Sequence, residues 1–323
     1  MPSFNAALLA IASAATVAAH SFVLDIDIDH KSYVGFRPIN GSVNDPVIVG
    51  WNTTAWDQGW IGMDSYTTPD IICHKSALNA QGHAPVAAGD QVHIQWNGWP
   101  QGHKGPVVDY LASCGDDGCQ SVDKTTLEFF KINQGGLVNS SAMLPYGEWA
   151  TDQLIANNNS WLVEIPETVK PGFYVLRTEI IALHNSTTGA QHYPQCLNLE
   201  VTGNGTEVPA GILGEQLYNT TQPGLDQGLN ITTGVTSYLV PGPTVIPDAA
   251  SIPLSDPIPT GSGSVVTGTK TVSHQTSASV HVVTVTVTAT AAAKRGNGGS
   301  LFARTTKAAN VEERRWYHQG LGF

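Results

Sequence analysis

The sequence predicts an all-β fold: an immunoglobulin- or fibronectin-III-like β-sandwich with long loops, followed by a disordered tail. Three observations carry that expectation. Gly and Pro number 33 and 19 in 323 residues, which favours strands and turns over long helices. Short apolar or alternating runs recur between Gly, Pro, Asn and Asp turns: SFVLDIDI, DPVIVGW, DQVHIQW, LEFFKI, SWLVEIP, GFYVLRTEIIALH and QCLNLEV. Their number and spacing are those of a sandwich. Hydrophobic residues make up 41%, enough for a core and too many for a chain disordered throughout.

The first element is a leader. Met1 to Ala19 is an apolar run ending in small residues, with Val17 and Ala19 at the −3 and −1 positions of a signal-peptidase site. Residues 1–19 are therefore expected to be a signal peptide, and the protein to be secreted and extracellular. Glycosylation sequons at Asn40, Asn52, Asn139, Asn158, Asn185, Asn204, Asn219 and Asn230 agree with that route. No other stretch approaches the ~18 apolar residues of a membrane span. The net charge of −11 provides no basic face for nucleic acid. Neither a membrane nor a nucleic acid is expected as a partner, and the chain is expected to be a monomer.

Cleavage after Ala19 makes His20 the first residue of the mature chain. An N-terminal histidine offers two nitrogens, its α-amine and Nδ1, which can close a chelate ring on a metal. The amine pKa near 8 lets a metal displace its proton at neutral pH.

Residues 20–243 read as one sandwich domain. SFVLDIDI opens it, and Trp51 to Ala88 is expected to be irregular loop, of the length that is often functional. DQVHIQW leads into a loop where Gly102, Gly105 and Pro106 surround His103. A Pro/Gly turn feeds GFYVLRTEIIALH, and Asn185 to Ala190 turns the chain back into Gln191 to Val201 as a hairpin. Alternation along the returning strand puts Gln191 and Tyr193 on one face with His184, and His192 on the other. His192 is read as outward-facing, with no metal role.

Residues 244–323 change character. Pro, Ser, Thr, Gly and Val dominate, and from Pro241 onward Lys and Arg outnumber Asp and Glu, 7 to 4. A disordered or O-glycosylated tail is expected, with HVVTVTVTAT having nothing to pack against. All four cysteines lie upstream, so a cysteine-stapled carbohydrate-binding module is excluded from it. In an oxidising compartment they form two disulfides, out of three possible pairings. Cys114 and Cys119 flank the turn Gly115 to Gly118, which can join them; Cys73 then ties the long loop to Cys196.

The mature start HSF, then WNGWPQGHKGPVVDYLASC, RTEIIALHNSTTGAQHYPQC and YNTTQPGLDQGLN before SYLVPGP resemble the fungal lytic polysaccharide monooxygenases of auxiliary-activity family nine. The likeness spans residues 20 to 243 and leaves the tail uncovered. It implies one copper ion in a histidine brace. His20 would bind through its α-amine and Nδ1, His103 through a ring nitrogen, and Tyr193 would stand at the axial position. His184 and Gln191 would hydrogen-bond the oxygen species, and Tyr218 and Tyr33 are candidates for an aromatic face against the substrate. Nitrogen-rich planar ligation suits copper(II). The implied reaction takes electrons from an external small-molecule or protein reductant and uses oxygen or hydrogen peroxide. It hydroxylates carbon 1 or carbon 4 of a β-1,4 linkage in cellulose or a related β-glucan.

Two other classes compete. A hydrolytic endoglucanase needs a pair of carboxylates across the scissile bond. Asp109, Glu128, Glu148, Glu164 and Glu179 are available, but no pattern pairs them. A non-catalytic copper- or carbohydrate-binding sandwich would not need Tyr193, His184 and Gln191 together.

Overall fold

The computed structural model describes residues 21–38, 48–184, 189–225, 231 and 234–249, and the backbone of 264–266 and 269–270. The leader, His20, the sequons at Asn40, Asn185 and Asn230, and most of the tail, including HVVTVTVTAT, lie outside the described residues. In chain order the strands are β1 (Val23–Ile28), β2 (Lys31–Val34), β3 (Gly82–Ala87), β4 (Gln91–Trp96), β5 (Val107–Ser113), β6 (Glu128–Gly135) and β7 (Leu137–Asn139). They continue as β8 (Glu148–Trp149), β9 (Ser160–Glu164), β10 (Gly172–Ala182), β11 (Gln191–Thr202), β12 (Ile212–Leu213), β13 (Ser264–Val266) and β14 (Thr269–Lys270). Two short helices, α1 (Asp70–Cys73) and α2 (Ala150–Ala156), interrupt them.

Alternation forms the strands. In β1, Val23, Ile26 and Ile28 are buried while Asp25 and Asp27 are half-exposed. The next two residues, Asp29 and His30, both have positive φ (47° and 60°). That twist lets two residues close the β1–β2 hairpin, in which Ile28 faces Lys31. β1 pairs with β4 on its other side, and the five-stranded sheet runs β13-β2-β1-β4-β9. The second sheet has seven strands in the order β12-β6-β5-β10-β11-β3-β14. Ile26, Ile94 and Trp96 from the first sheet meet Leu111, Phe130, Leu176 and Leu199 from the second in the core between them.

The seven-stranded sheet is covered on its far face as well. Val108, Tyr110, Phe129, Val175 and Ile181 pack there against Trp51, Ile61, Tyr66, Ile71, Leu217 and Tyr218, which come from the connections. This explains why β10 is buried continuously from Tyr174 to Ala182 rather than alternately.

The covered face holds an ionic network. The guanidinium of Arg177 pairs with both carboxylate oxygens of Glu179 (2.8 and 3.1 Å) and donates to the carbonyls of Ile72 and Ile71 (2.8 and 2.9 Å). Nδ1 of His192 meets Glu179 Oε1 at 2.8 Å, and Nε2 meets the Tyr66 hydroxyl at 2.7 Å. The Tyr218 hydroxyl donates to Glu179 and lies 3.0 Å from that of Tyr110. Burial would raise the Glu179 carboxyl, but Arg177 and then His192 outweigh it and hold the group down, at about 2.

Four expectations are corrected. His192 does not face solvent: the face opposite Tyr193 is a second core, and His192 is fully buried in it. The described part of DPVIVGW, residues 48–51, forms no strand and has only an isolated bridge from Gly50 to Leu197. Trp51 to Ala88 contains α1 and β3, whose Pro85 lies beyond the two residues, Gly82 and His83, that β14 pairs. The structured chain also continues past 243. Val245 bridges Lys131, Ile246 packs on the inter-sheet core, and β13 and β14 pair with β2 and β3.

Two disulfides pin the connections. Cys73 joins Cys196 across 123 residues, and Cys114 joins Cys119 across 5. In the chain-entropy picture the first contributes about 5 kcal/mol and the second about 2.

Removing the partner of a buried guanidinium costs on the order of 3–5 kcal/mol. Glu179→Ala is therefore expected to lower the melting temperature by roughly 10 °C, read by thermal unfolding. The folded pKa of Glu179 lies below its ordinary 4.5, so its contribution is complete above that pH and lost as pH falls towards about 2. A Glu179→Gln variant should show a flatter loss of stability across that window.

Candidate metal centre

His103 sits in the loop between β4 and β5, which is clamped from three sides. His103 N–H donates to Pro100 O (3.0 Å), closing a turn, and Trp99 Nε1 donates to His103 O (2.7 Å). The following residues run beside the end of β10: Leu183 N–H donates to Lys104 O (2.8 Å) and Ile181 N–H to Pro106 O (3.0 Å). That approach requires glycine at 105, where an added Cβ would lie 1.9 Å from Ile181 O. The third clamp is α2. Asp152 pairs with buried Lys104 and accepts from Trp149 N (2.9 Å), while Thr151 Oγ1 accepts from Gly105 N (3.1 Å).

The ends of β10 and β11 bring the other polar groups to this loop. The rings of His103 and His184 meet edge-to-face with centroids 4.7 Å apart. His184 Nε2 and the Tyr193 hydroxyl both lie 3.1 Å from Gln191 Oε1. A carboxamide oxygen only accepts, so Nε2 of His184 and Oη of Tyr193 carry the protons. Burial depresses His184 below the ordinary histidine range, favouring the neutral ring. Burial, with the charge of Asp57 added, pushes the Tyr193 phenol up and keeps it protonated. Trp99 stands edge-on to Tyr193 at 5.0 Å and to His103 at 6.2 Å, closing one side.

The chain start is tied to the same loop. Asn97 Oδ1 accepts from Ser21 Oγ (2.8 Å) and Phe22 N (3.0 Å), and Asn97 N–H donates to Phe22 O (3.1 Å). Ser21 and Phe22, the first described residues, therefore lie beside the loop carrying His103. Among the described residues no group of three His, Cys, Asp or Glu side chains could hold a metal ion. The His103 imidazole and the protonated Tyr193 phenol are nitrogen and oxygen donors of a kind that fits a copper ion.

Of the residues read from sequence, His103, His184, Gln191 and Tyr193 come together. Tyr218 and Tyr33 do not join them and form no exposed platform, being 3% and 4% exposed. Tyr218 is held inside by Glu179 and Tyr110; Tyr33 faces Ile26 within the inter-sheet core. Among the sequons, Asn139, Asn158, Asn204 and Asn219 are exposed and Asn52 is half-buried. Sequence reading missed Asn97 and Trp99, although both flank the Pro/Gly-rich loop of His103.

Residues 20–238 match the model of Auxiliary Activity family 9 (formerly GH61). The chain is 46% identical over 278 residues to "AA9 family lytic polysaccharide monooxygenase D" of Podospora anserina, covering 84% of this chain and 79% of the relative. It is 50% identical over 257 residues to "AA9 family lytic polysaccharide monooxygenase A" of Talaromyces verruculosus, covering 78% and 77%. The solved extended catalytic domain of Hypocrea jecorina LPMO9A superposes with a TM-score of 0.67 at 47% identity, covering 72% of this chain and 94% of that one.

Gly105→Ala is expected to cost about 1–3 kcal/mol through overpacking and to shift the imidazole resonances of His103 in NMR spectra. Gly102→Ala, three residues earlier and with nothing within 4 Å of the added carbon, should leave both unchanged.

Proposed function

Because the chain belongs to Auxiliary Activity family 9, the copper-dependent lytic polysaccharide monooxygenases, we propose that it is secreted and cleaves β-1,4-glucan such as cellulose oxidatively. The observation that carries this reading is the convergence of His103, His184, Gln191 and Tyr193 beside the residue that follows His20. His20, freed as the N-terminus, would hold the copper through its α-amine and Nδ1, and His103 would add a third nitrogen. Tyr193 would contribute a weak neutral oxygen, since burial keeps its phenol protonated. Copper bound there would supply the one-electron redox chemistry by which a reductant and oxygen or hydrogen peroxide oxidise carbon 1, carbon 4 or both.

The chain's own groups orient and shield that chemistry. His184 holds a proton at Nε2, oriented by Gln191 Oε1, which makes it a hydrogen-bond donor at this place. Gln191 also anchors the Tyr193 hydroxyl, so one carboxamide oxygen links the three side chains. Trp99 excludes water on one side. A hydrolytic pair of carboxylates finds no support at this place: Glu179 is committed to Arg177 and His192, and Asp109 to Trp161 and Asn133.

The mature chain loaded with copper is expected to release oxidised cello-oligosaccharides from cellulose in the presence of ascorbate, and none without it, by mass spectrometry. Ordinary reducing ends, formed regardless of reductant, would indicate hydrolysis instead. A variant retaining one residue before His20 should lose tight copper binding in calorimetry, as should His103→Ala.

A further inference from the structure

Three connections meet around a cavity of about 490 Å³ at the end of β10 and β11 that lies away from the candidate metal centre. Ala88 follows β3, Glu167 and Thr168 precede β10, and residues 203–207 follow β11. β11 runs from Gln191 at the candidate centre to Thr202 beside the cavity, a span of about 35 Å. The backbone around the cavity is held by three bonds of 2.8 Å: Glu207 N–H to Thr168 O, Lys170 N–H to Glu207 O and Ala88 N–H to Thr202 O. Gly205 presses on the neighbouring connection, where an added Cβ would lie 2.2 Å from Val169 O.

The residues that line this cavity include a sequon with no part in the functional reading. Asn204, Gly205 and Thr206 form Asn-x-Thr, and all three are lining residues. The Asn204 side chain is exposed. Asn139 and Asn219 are exposed as well, but each commits its Oδ1 to its own turn, accepting from Ser141 N (3.0 Å) and Thr221 N (3.1 Å). Neither of them lines this cavity.

We propose that Asn204 carries an N-linked glycan whose first N-acetylglucosamine occupies the cavity. In the linking step Asn204 Nδ2 bonds to C1 of the sugar while the bond from C1 to the pyrophosphate of a lipid-linked oligosaccharide breaks. The carboxamide gives up one proton and the lipid pyrophosphate leaves, so nothing is oxidised or reduced. Attachment to a lining residue gives the sugar an effective concentration at the cavity that a free monosaccharide lacks. The volume is within the range of small-molecule sites. Ala88 offers an apolar methyl to the acetamide, and the Glu167 and Glu207 carboxylates can accept from sugar hydroxyls. A sugar seated there shields the bonds between Thr168, Lys170 and Glu207 from water and ties the two connections together. The proposal uses the secretory route inferred above, which supplies the sugar donor, and it leaves the metal centre uncovered.

The test starts from the mature full-length protein secreted by a filamentous fungus, with its glycopeptides read by mass spectrometry. The peptide containing Asn204 is expected chiefly in its glycosylated form. After endoglycosidase H trims each chain to one sugar, the N-acetyl methyl at Asn204 should show a nuclear Overhauser contact with the Ala88 methyl. Asn204→Gln and Thr206→Ala, which both destroy the sequon, should lower the melting temperature by about 3 °C. Thr206→Ser, which keeps it, should retain the wild-type value, and copper affinity should be unchanged in all three. An unmodified Asn204 in protein glycosylated at other sequons would overturn the proposal alone. A glycan with no contact to Ala88 and no effect on melting would overturn it too, since the sugar would then project into solvent. Protein bearing sugar at no sequon would overturn both the proposal and the secretory route.

Discussion

The bidentate pairing of Arg177 with Glu179 is the constraint around which the rest of the molecule is arranged. Neither side chain is accessible to water, and a buried guanidinium–carboxylate pair survives only where every remaining donor and acceptor is satisfied. Ile71 and Ile72 supply carbonyls, His192 and Tyr218 supply donors, and Tyr66 and Tyr110 complete the outer ring. Tyr66, Ile71 and Ile72 come from the connection before β3 and Tyr218 from the stretch after β12, so the pair dictates that both fold down onto the far face of the second sheet. The Cys73–Cys196 bridge fastens α1 to β11 at the same place. Hydrophobic burial alone would cover the sheet without specifying which loop lies where; the polar network adds that specification.

That arrangement reaches the candidate metal centre through the strands. β10 and β11 carry the ionic network on one face and His184, Gln191 and Tyr193 on the other or at their ends, through the same backbone. His192 lies between Gln191 and Tyr193 and is held by Glu179 on its side chain and by Ile61 on its backbone. The orientation of the two residues beside it is thereby fixed by contacts on the opposite side of the sheet. The loop of His103 is secured independently, by Gly105 against Ile181 and by Thr151 and Asp152 of α2. The site is assembled from two separately secured segments whose rings, His103 and His184, meet edge-to-face.

Much of this was legible in the sequence. The alternation in SFVLDIDI and DQVHIQW marks β1 and β4, and the parity of Gln191, His192 and Tyr193 separates their faces correctly. Parity does not say what covers a face. Alternation turns His192 away from Tyr193, towards a face that would meet solvent if the strand were covered on one side alone; the loops folded over Arg177 and Glu179 make both faces interior. β3 escaped notice because Pro85 interrupts its pattern, and the strands past 243 because Pro, Ser and Thr hide short pairing segments. Tyr218 and Tyr33 illustrate the same limit: an aromatic side chain with a polar tip suits a sugar-stacking face and a buried hydrogen-bonded position equally well. Their partners, Glu179 in one case and the inter-sheet core in the other, are far away in sequence.

The segment from Trp56 to Lys75 then has two tasks that pull in opposite directions. Its inner side must be closed, since Ile61, Tyr66, Ile71 and Ile72 cap the second core. Its outer side stays open, with two exposed tryptophans and a polar cavity. Both demands are met within single turns: Ile61 points inward between Trp60 and Gly62, and Ile71 and Ile72 are buried beside the carboxylate of Asp70. Residues on the outer side can vary with little effect on the core, because the backbone beneath them is already held by Arg177 and by the Ile61–His192 bridge.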